Sequence, residues 1–223
     1  MKSIYLLLAA SIIFISCNDA GNKRGGKLYL QSYFINGLSL NWIWLGDDGT
    51  IIYNPKFGVD PVNIKKEKKE NENNIGEYEI DGIDINVTWE NGKKSKLAIE
   101  KSKGDISAID GGLVSLQEPM PDDYKLQGKY EGSMVFGNVA NINTYYFKKN
   151  GKFSLNQFGA VSNEDMGATS EDDLNGSYSI TGNTITLEFD NGQSRVATIG
   201  VMEMEDGQNF IIMNQRSYPQ REE

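Results

Sequence analysis

No histidine occurs anywhere in the 223 residues of this chain. That absence removes the commonest general base, the commonest metal ligand and the usual pH switch from its chemistry. Cysteine appears once, at Cys17, which excludes an intramolecular disulfide and a Cys-based zinc site. A Ser-His-Asp triad therefore fails, and no G-x-S-x-G elbow, P-loop or dinucleotide fingerprint is present. Basic residues are outnumbered, 22 Lys and Arg against 31 Asp and Glu, for a formal charge of −9. An acidic balance of this kind opposes nucleic-acid binding and electrostatic docking on an anionic membrane. Long apolar runs are missing too, since residues 4–15 are the most apolar stretch and are too few to span a bilayer. Proline is scarce, with five residues, whereas there are 24 Gly, 11 Tyr, 9 Phe and 3 Trp. Aromatics and glycine with little proline suit an all-β chain of short strands and tight turns.

The apolar stretch belongs to a leader. Met1-Lys2-Ser3 is a short basic start, and residues 4–15 form the apolar core of a signal peptide. It ends in Phe14-Ile15-Ser16-Cys17, with small Ser16 just before the only cysteine. This string resembles the lipobox of bacterial lipoproteins and departs from it at Phe14, where that family prefers Leu. The resemblance implies cleavage before Cys17 and acylation of that residue. Residues 1–16 are then a lipoprotein signal peptide, and 17–26 a lipidated Cys with a flexible tether of Asn, Asp, Gly and basic residues. The competing reading is an ordinary signal peptide whose last residue is a cysteine. Acyl chains add about 0.8 kcal/mol per buried CH₂, so a multiply acylated Cys17 would hold the protein durably on a membrane. By the same resemblance, Asn18 implies sorting to a Gram-negative outer membrane, facing either the periplasm or the surface.

Beyond the tether, one β-hairpin is written twice. Gly76-Glu77-Tyr78-Glu79-Ile80-Asp81-Gly82 runs on through Ile85, Val87 and Trp89 to Asn91-Gly92. It returns as Gly176-Ser177-Tyr178-Ser179-Ile180-Thr181-Gly182, then Ile185, Leu187, Phe189 and Asn191-Gly192. Both copies alternate apolar and polar residues at the period of a half-buried strand and carry hairpin turns, so they mark an internal repeat. Period two places Tyr78, Ile80, Ile85, Val87 and Trp89 on one face, with Tyr178, Ile180, Ile185, Leu187 and Phe189 as their counterparts. Asn86, Thr88, Thr186 and Glu188 should face solvent.

Around these hairpins the chain reads as two repeats, 27–119 and 124–219. The first shows about eight strands, among them Leu28-Tyr29-Leu30, 38–45, Ile51-Ile52-Tyr53, 96–100, 105–109 and 113–117, with a hairpin turn at Asp48-Gly49. Residues 65–74 hold no apolar residue and are expected to be a mobile surface loop. Pro119 and Pro121, with the acidic pair Asp122-Asp123, mark a wet linker at 120–123. The second repeat has strands at 126–136, 144–147 and 153–158, a polar loop at 162–173, the second hairpin, then 195–204, 210–213 and a Tyr218-Pro219 tail. Phe57-Gly58 and Phe158-Gly159 each precede the polar insertion of their repeat.

The string Gly176-x-Tyr178-x-Ile180-x-Gly182-Asn183-Thr184-Ile185-Thr186-Leu187, with its Asp190-Asn191-Gly192 turn, resembles bacterial lipocalin-like domains. So does the aromatic strand that ends in Lys149-Asn150-Gly151-Lys152-Phe153. The resemblance covers both repeats, is clearer in the second, and is weakened in the first at Asp81 and at Ile83, where the second repeat has Asn183. It implies an all-β chain of two tandem antiparallel meander barrels, each lipocalin-like. The alternative is a single barrel or sandwich shared by the two repeats. It also implies an association with small apolar ligands, although such motifs carry fold more than function.

Carboxylates are the catalytic resource that remains. A glycosidase-type pair, hence a carboxylate-dependent hydrolase, is the remote alternative to acidic residues lying in turns and on wet strand faces. Asn163-x-Asp165-x-Gly167 and Glu171-Asp172-Asp173 hint at calcium but lack the EF-hand order and its closing Glu, so no metal or cofactor is expected. The aromatic strands are the better site candidates. Trp42-Ile43-Trp44-Leu45 is apolar on both strand faces, and Thr144-Tyr145-Tyr146-Phe147 partly repeats that pattern. Either the repeats bury both faces where they pack, or aromatics line a pocket, as ligand sites are concave and apolar. On the second reading Trp42, Trp44, Trp89, Tyr145 and Tyr146 contact ligand. The expected function is a membrane-anchored, non-enzymatic binding module for a small apolar ligand. The alternative is a protein- or glycan-interaction module of the cell envelope using the strand edges or the loops at 57–75 and 157–175.

Overall fold

The computed structural model describes residues 25–34, 37–136, 139–163, 166–203 and 209–222. The leader, Cys17 and most of the tether lie outside the described residues. Eight strands build a first closed barrel: β1 Gly26–Phe34, β2 Leu38–Gly46, β3 Thr50–Tyr53, β4 Ile75–Asp81, β5 Asp84–Trp89, β6 Lys94–Ser102, β7 Asp105–Ile109 and β8 Gly112–Gln117. Eight more build a second: β9 Gly128–Phe136, β10 Val139–Phe147, β11 Lys152–Asn163, β12 Met166–Thr181, β13 Thr184–Phe189, β14 Ser194–Glu203, β15 Asn209–Met213 and β16 Arg216–Arg221. Within each barrel, strands adjacent in sequence pair antiparallel. β8 returns to β1 (Ser115 opposite Leu30), and β16 returns to β9 (Gln220 opposite Tyr130). Closure gives every strand a neighbour on both sides. The chain is thus two tandem lipocalin-like meander barrels, not one shared between the repeats.

The doubled hairpins occupy equivalent places, as β4–β5 and β12–β13, with Tyr78 opposite Val87 and Tyr178 opposite Leu187. Their opening glycines recur for a backbone reason. A Cβ on Gly76 would strike Thr88 O, and one on Gly176 would strike Glu188 O. Their tyrosines recur because each caps its barrel. Tyr78 OH donates to Gly46 O at 3.1 Å and Tyr178 OH to Leu126 O at 2.8 Å. Burial raises the pKa of both hydroxyls and keeps them donors.

The two interiors differ. The first is mainly aliphatic, around Ile43, Leu45, Ile51, Ile85, Val87, Ile99 and Ile109. The second is aromatic, with Phe147 edge-on to Tyr178 at 4.9 Å and Phe153 edge-on to Phe189 at 5.3 Å. A third cluster lies outside both interiors. Leu28, Leu30, Trp42, Trp44 and Ile52, on the outer face of β1–β3, pack with Val59 and Val62 of the β3–β4 connection and with Ile212 of β15. Polar contacts join the barrels as well. Thr184 Oγ1 accepts from Val59 N (2.7 Å) and Asp60 N (2.8 Å), and Asp60 Oδ2 accepts from Asn183 N (2.7 Å).

Several expectations are corrected. Residues 65–74 are not simply a loop, because Ile64–Glu70 forms the helix α1. Its anchor is not an apolar stripe but Glu67, fully buried, whose carboxylate accepts from Lys56 N (2.8 Å), Phe57 N (3.0 Å) and Asn71 Nδ2 (2.8 Å). The described part of the polar stretch 162–173 extends β11 and β12, since a paired ribbon satisfies its backbone without an apolar stripe. Phe158-Gly159 therefore lies inside β11, unlike Phe57-Gly58. Tyr218-Pro219 is no tail but part of β16, the strand that closes the second barrel. Ile80 shares the predicted face yet is 43% exposed, next to the β4–β5 turn, whereas Asn86, Thr88 and Glu188 are exposed as expected.

Candidate functional site

Alternation along β1 and β2 sends Tyr29, Ile43 and Leu45 inward, and Leu30, Leu40 and Trp42 outward. The same alternation on β15 sends Ile211 and Met213 inward, with Phe210 and Ile212 on the outer face. Where these outer faces diverge beyond their packed cluster, an apolar cleft of about 440 Å³ opens between the barrels. Leu30, Ser32, Leu38, Leu40, Leu113 and Ser115 line it from the first barrel. Met202, Phe210, Ile212, Ser217 and Pro219 line it from the second. Among the described residues no charged side chain lines it; Ser32, Ser115 and Ser217 supply its side-chain hydroxyls. The volume falls within the few hundred Å³ usual for small-molecule sites. The rim is apolar as well: Phe34, opposite Leu38 in the ladder, is 75% exposed, Leu113 63% and Leu38 54%.

The mouth of the first barrel is smaller, about 200 Å³, and is plugged by its own polar network. Gln31 is fully buried there, donating Nε2 to Ile109 O at 2.6 Å and accepting from Tyr53 OH. Burial, first of all, pushes the Tyr53 hydroxyl far above its ordinary pKa, so it stays a donor. Among the described residues no group of three or more Cys, Asp or Glu is gathered as a metal would require. No helix among them is long and apolar enough to cross a membrane.

The five aromatics singled out from sequence fall in different places. Trp42 and Trp44 are buried in the inter-barrel cluster, and Trp42 Nε1 has no hydrogen-bond partner among the described residues. Trp89 sits at the end of β5 beside the first barrel's mouth, donating Nε1 to Ser95 Oγ at 2.8 Å. Tyr145 is buried within the second barrel, stacked on Phe147 at 5.5 Å. Its neighbour Tyr146 points outward, 39% exposed, with Lys129 Nζ 5.9 Å above its ring. Of the hinted calcium residues, Asn163 ends β11, Gly167, Glu171, Asp172 and Asp173 lie in β12, and Asp165 lies outside the described residues.

The aliphatic residues that line the cleft, Leu38, Leu40, Met202 and Ile212, were not singled out from sequence. A signal for them existed. Phe210-Ile211-Ile212-Met213, like Trp42-Ile43-Trp44-Leu45, breaks the alternation of a one-sided strand, and both segments border the inter-barrel contact. No protein-family model, curated protein or solved structure matches this chain significantly.

Proposed function

We propose that this protein is a membrane-anchored envelope lipoprotein that holds a small apolar ligand, without catalysis, in the cleft between its two barrels. The observation that carries the binding part is the apolar cleft of about 440 Å³ walled by Leu30, Leu40, Met202, Phe210 and Ile212. Filling it with an apolar molecule removes that wall, and the exposed rim at Phe34 and Leu113, from water, worth roughly 25 cal/mol per Å² of apolar surface covered. The leader and Cys17 support the anchor, through their likeness to a lipobox, and an outer-membrane location through Asn18.

Native mass spectrometry of the protein purified from its own envelope tests this reading. One apolar small molecule per chain is expected in the wild type. Ser32→Phe, which places a ring in the cleft, should release it. Wild-type protein free of any small molecule, or equal retention by Ser32→Phe, refutes the assignment. The exposed rim of Phe34, Leu38 and Leu113 favours a second reading, an interaction module for an envelope protein or glycan. Recovery of such a macromolecule in place of a small ligand would select it.

A further inference from the structure

The wall of the second barrel is incomplete on one side. The β14–β15 ladder starts at Ile199 opposite Met213, and Asn214 N donates to Thr198 O as its last rung. Residues 194–197 therefore pair with β13 alone among the described residues. Beside this gap lies a cleft of about 840 Å³. Inward it reaches Tyr145, Leu187 and Met213, and outward it is bounded by Lys56, Phe57 and Lys66 of the first barrel. Four cations line it, Lys56, Lys66, Arg195 and Arg216, and no carboxylate among the described residues does, in a chain that carries 31 acidic residues.

Lys66 and Arg195 are not consumed by ion pairs among the described residues. Lys66 Nζ lies 4.0 Å over the Phe57 ring and the Arg195 guanidinium 4.9 Å over Phe189; neither is ion-paired among the described residues. Lys56 Nζ donates to Glu70 O at 2.6 Å. The carboxylate that acts on Lys56 is that of Glu67, which is buried and already bonded to Lys56 N, Phe57 N and Asn71. At the inner end the Tyr145 hydroxyl has no hydrogen-bond partner among the described residues, and burial keeps it protonated despite the nearby Arg195 and Arg216. The Asn143 carbonyl is taken by Gln157 Nε2 at 3.2 Å, which leaves its amide hydrogens to donate. Positive charge, spare donors and apolar walls converge on one concave site.

We propose that this cleft binds a small organic oxyanion with an apolar body, its charge held by Arg195, Lys66 and Lys56 and its body packed on Phe57, Leu187 and Met213. No described residue lines both this cleft and the apolar one between the barrels, so the proposal stands or falls separately from the function proposed above.

Calorimetric titration of the full chain with naphthalene-2-sulfonate tests it, with naphthalene-2-sulfonamide and inorganic sulfate as controls. The sulfonate is expected to bind at one site, the neutral sulfonamide and bare sulfate at least about tenfold more weakly, and added salt to weaken the sulfonate. Arg195→Gln should weaken the sulfonate about tenfold, the scale of a charge-assisted hydrogen bond, and Lys66→Gln should weaken it less. Lys66→Gln sits on α1 and keeps the test standing if Arg195→Gln does not fold. Ser32→Phe, in the other cleft, should leave sulfonate binding unchanged. Absence of binding, equal binding of the sulfonamide, or affinities unmoved by both Gln variants would overturn the proposal. Equal binding of inorganic sulfate would overturn the apolar body.

Discussion

Thr184 is one hydroxyl on which the contact between the barrels turns. It is 7% exposed, and its oxygen accepts from two successive amides of the opposite barrel, Val59 N and Asp60 N. The fit around it is close: a Cβ on Gly58, which has φ +75°, would strike the Thr184 side chain. Thr184→Val keeps the shape and removes the only acceptor these amides have there. An orphaned buried donor costs about 1–3 kcal/mol. Val59 is buried and bears most of that cost, whereas half-buried Asp60 can recruit water, so the expected loss is about 2–3 kcal/mol in all. Urea unfolding followed by the fluorescence of Trp42 and Trp44, both buried in the inter-barrel cluster, reads the global loss. Amide exchange reads the local one: a loss of about 2 kcal/mol should speed exchange at Val59 roughly 30-fold. A change below about 0.5 kcal/mol with unaltered Val59 exchange would refute the claim that Thr184 ties the barrels together, since that is the scale of an ordinary surface substitution.

Two further outcomes are expected. Cys17→Ala should move the protein from the membrane fraction to the soluble fraction of envelope extracts, and persistent membrane association would sink the lipid anchor. Glu67 makes a pH signature. Burial, outweighing its hydrogen bonds, raises its carboxyl above the ordinary 4.5, so the folded protein binds this proton more tightly than the unfolded chain does. Its contribution to stability is therefore complete below pH 4.5 and is lost as pH rises through the raised pKa. Glu67→Gln should flatten that part of the stability–pH curve, whatever its offset; a slope identical to wild type would assign the titration to another group.

Much of the barrel plan was legible because strand period and turn chemistry are local. Asp48-Gly49 and Asn91-Gly92 announce their turns, and the inward sets at Ile85–Val87 and Ile185–Leu187 follow from period two. α1 was missed because its support is a buried carboxylate bonded to backbone amides of Lys56 and Phe57, which no hydrophobic pattern encodes. The ribbon of β11 and β12 was missed because paired polar strands look like a loop. The contrast between exposed Ile83 and buried Asn183 was visible as a departure between the repeats. Its reason lies in the other barrel, where Asn183 N finds Asp60 and Asn183 Nδ2 finds Glu118 O.

By itself, then, the sequence determined that the chain is all-β, that it is doubled, where its turns lie and which faces of its hairpins are apolar. Each of these depends on neighbours within a hairpin's reach. Only the tertiary structure decided that each repeat closes on itself, and that Trp42 and Trp44 turn away from their own barrel toward the other. It alone brought Leu30 to Met202 across an apolar cleft, and Lys66 to Arg195 across a cationic one. Those juxtapositions join residues more than a hundred positions apart, where register and barrel packing, not local propensity, set the distances.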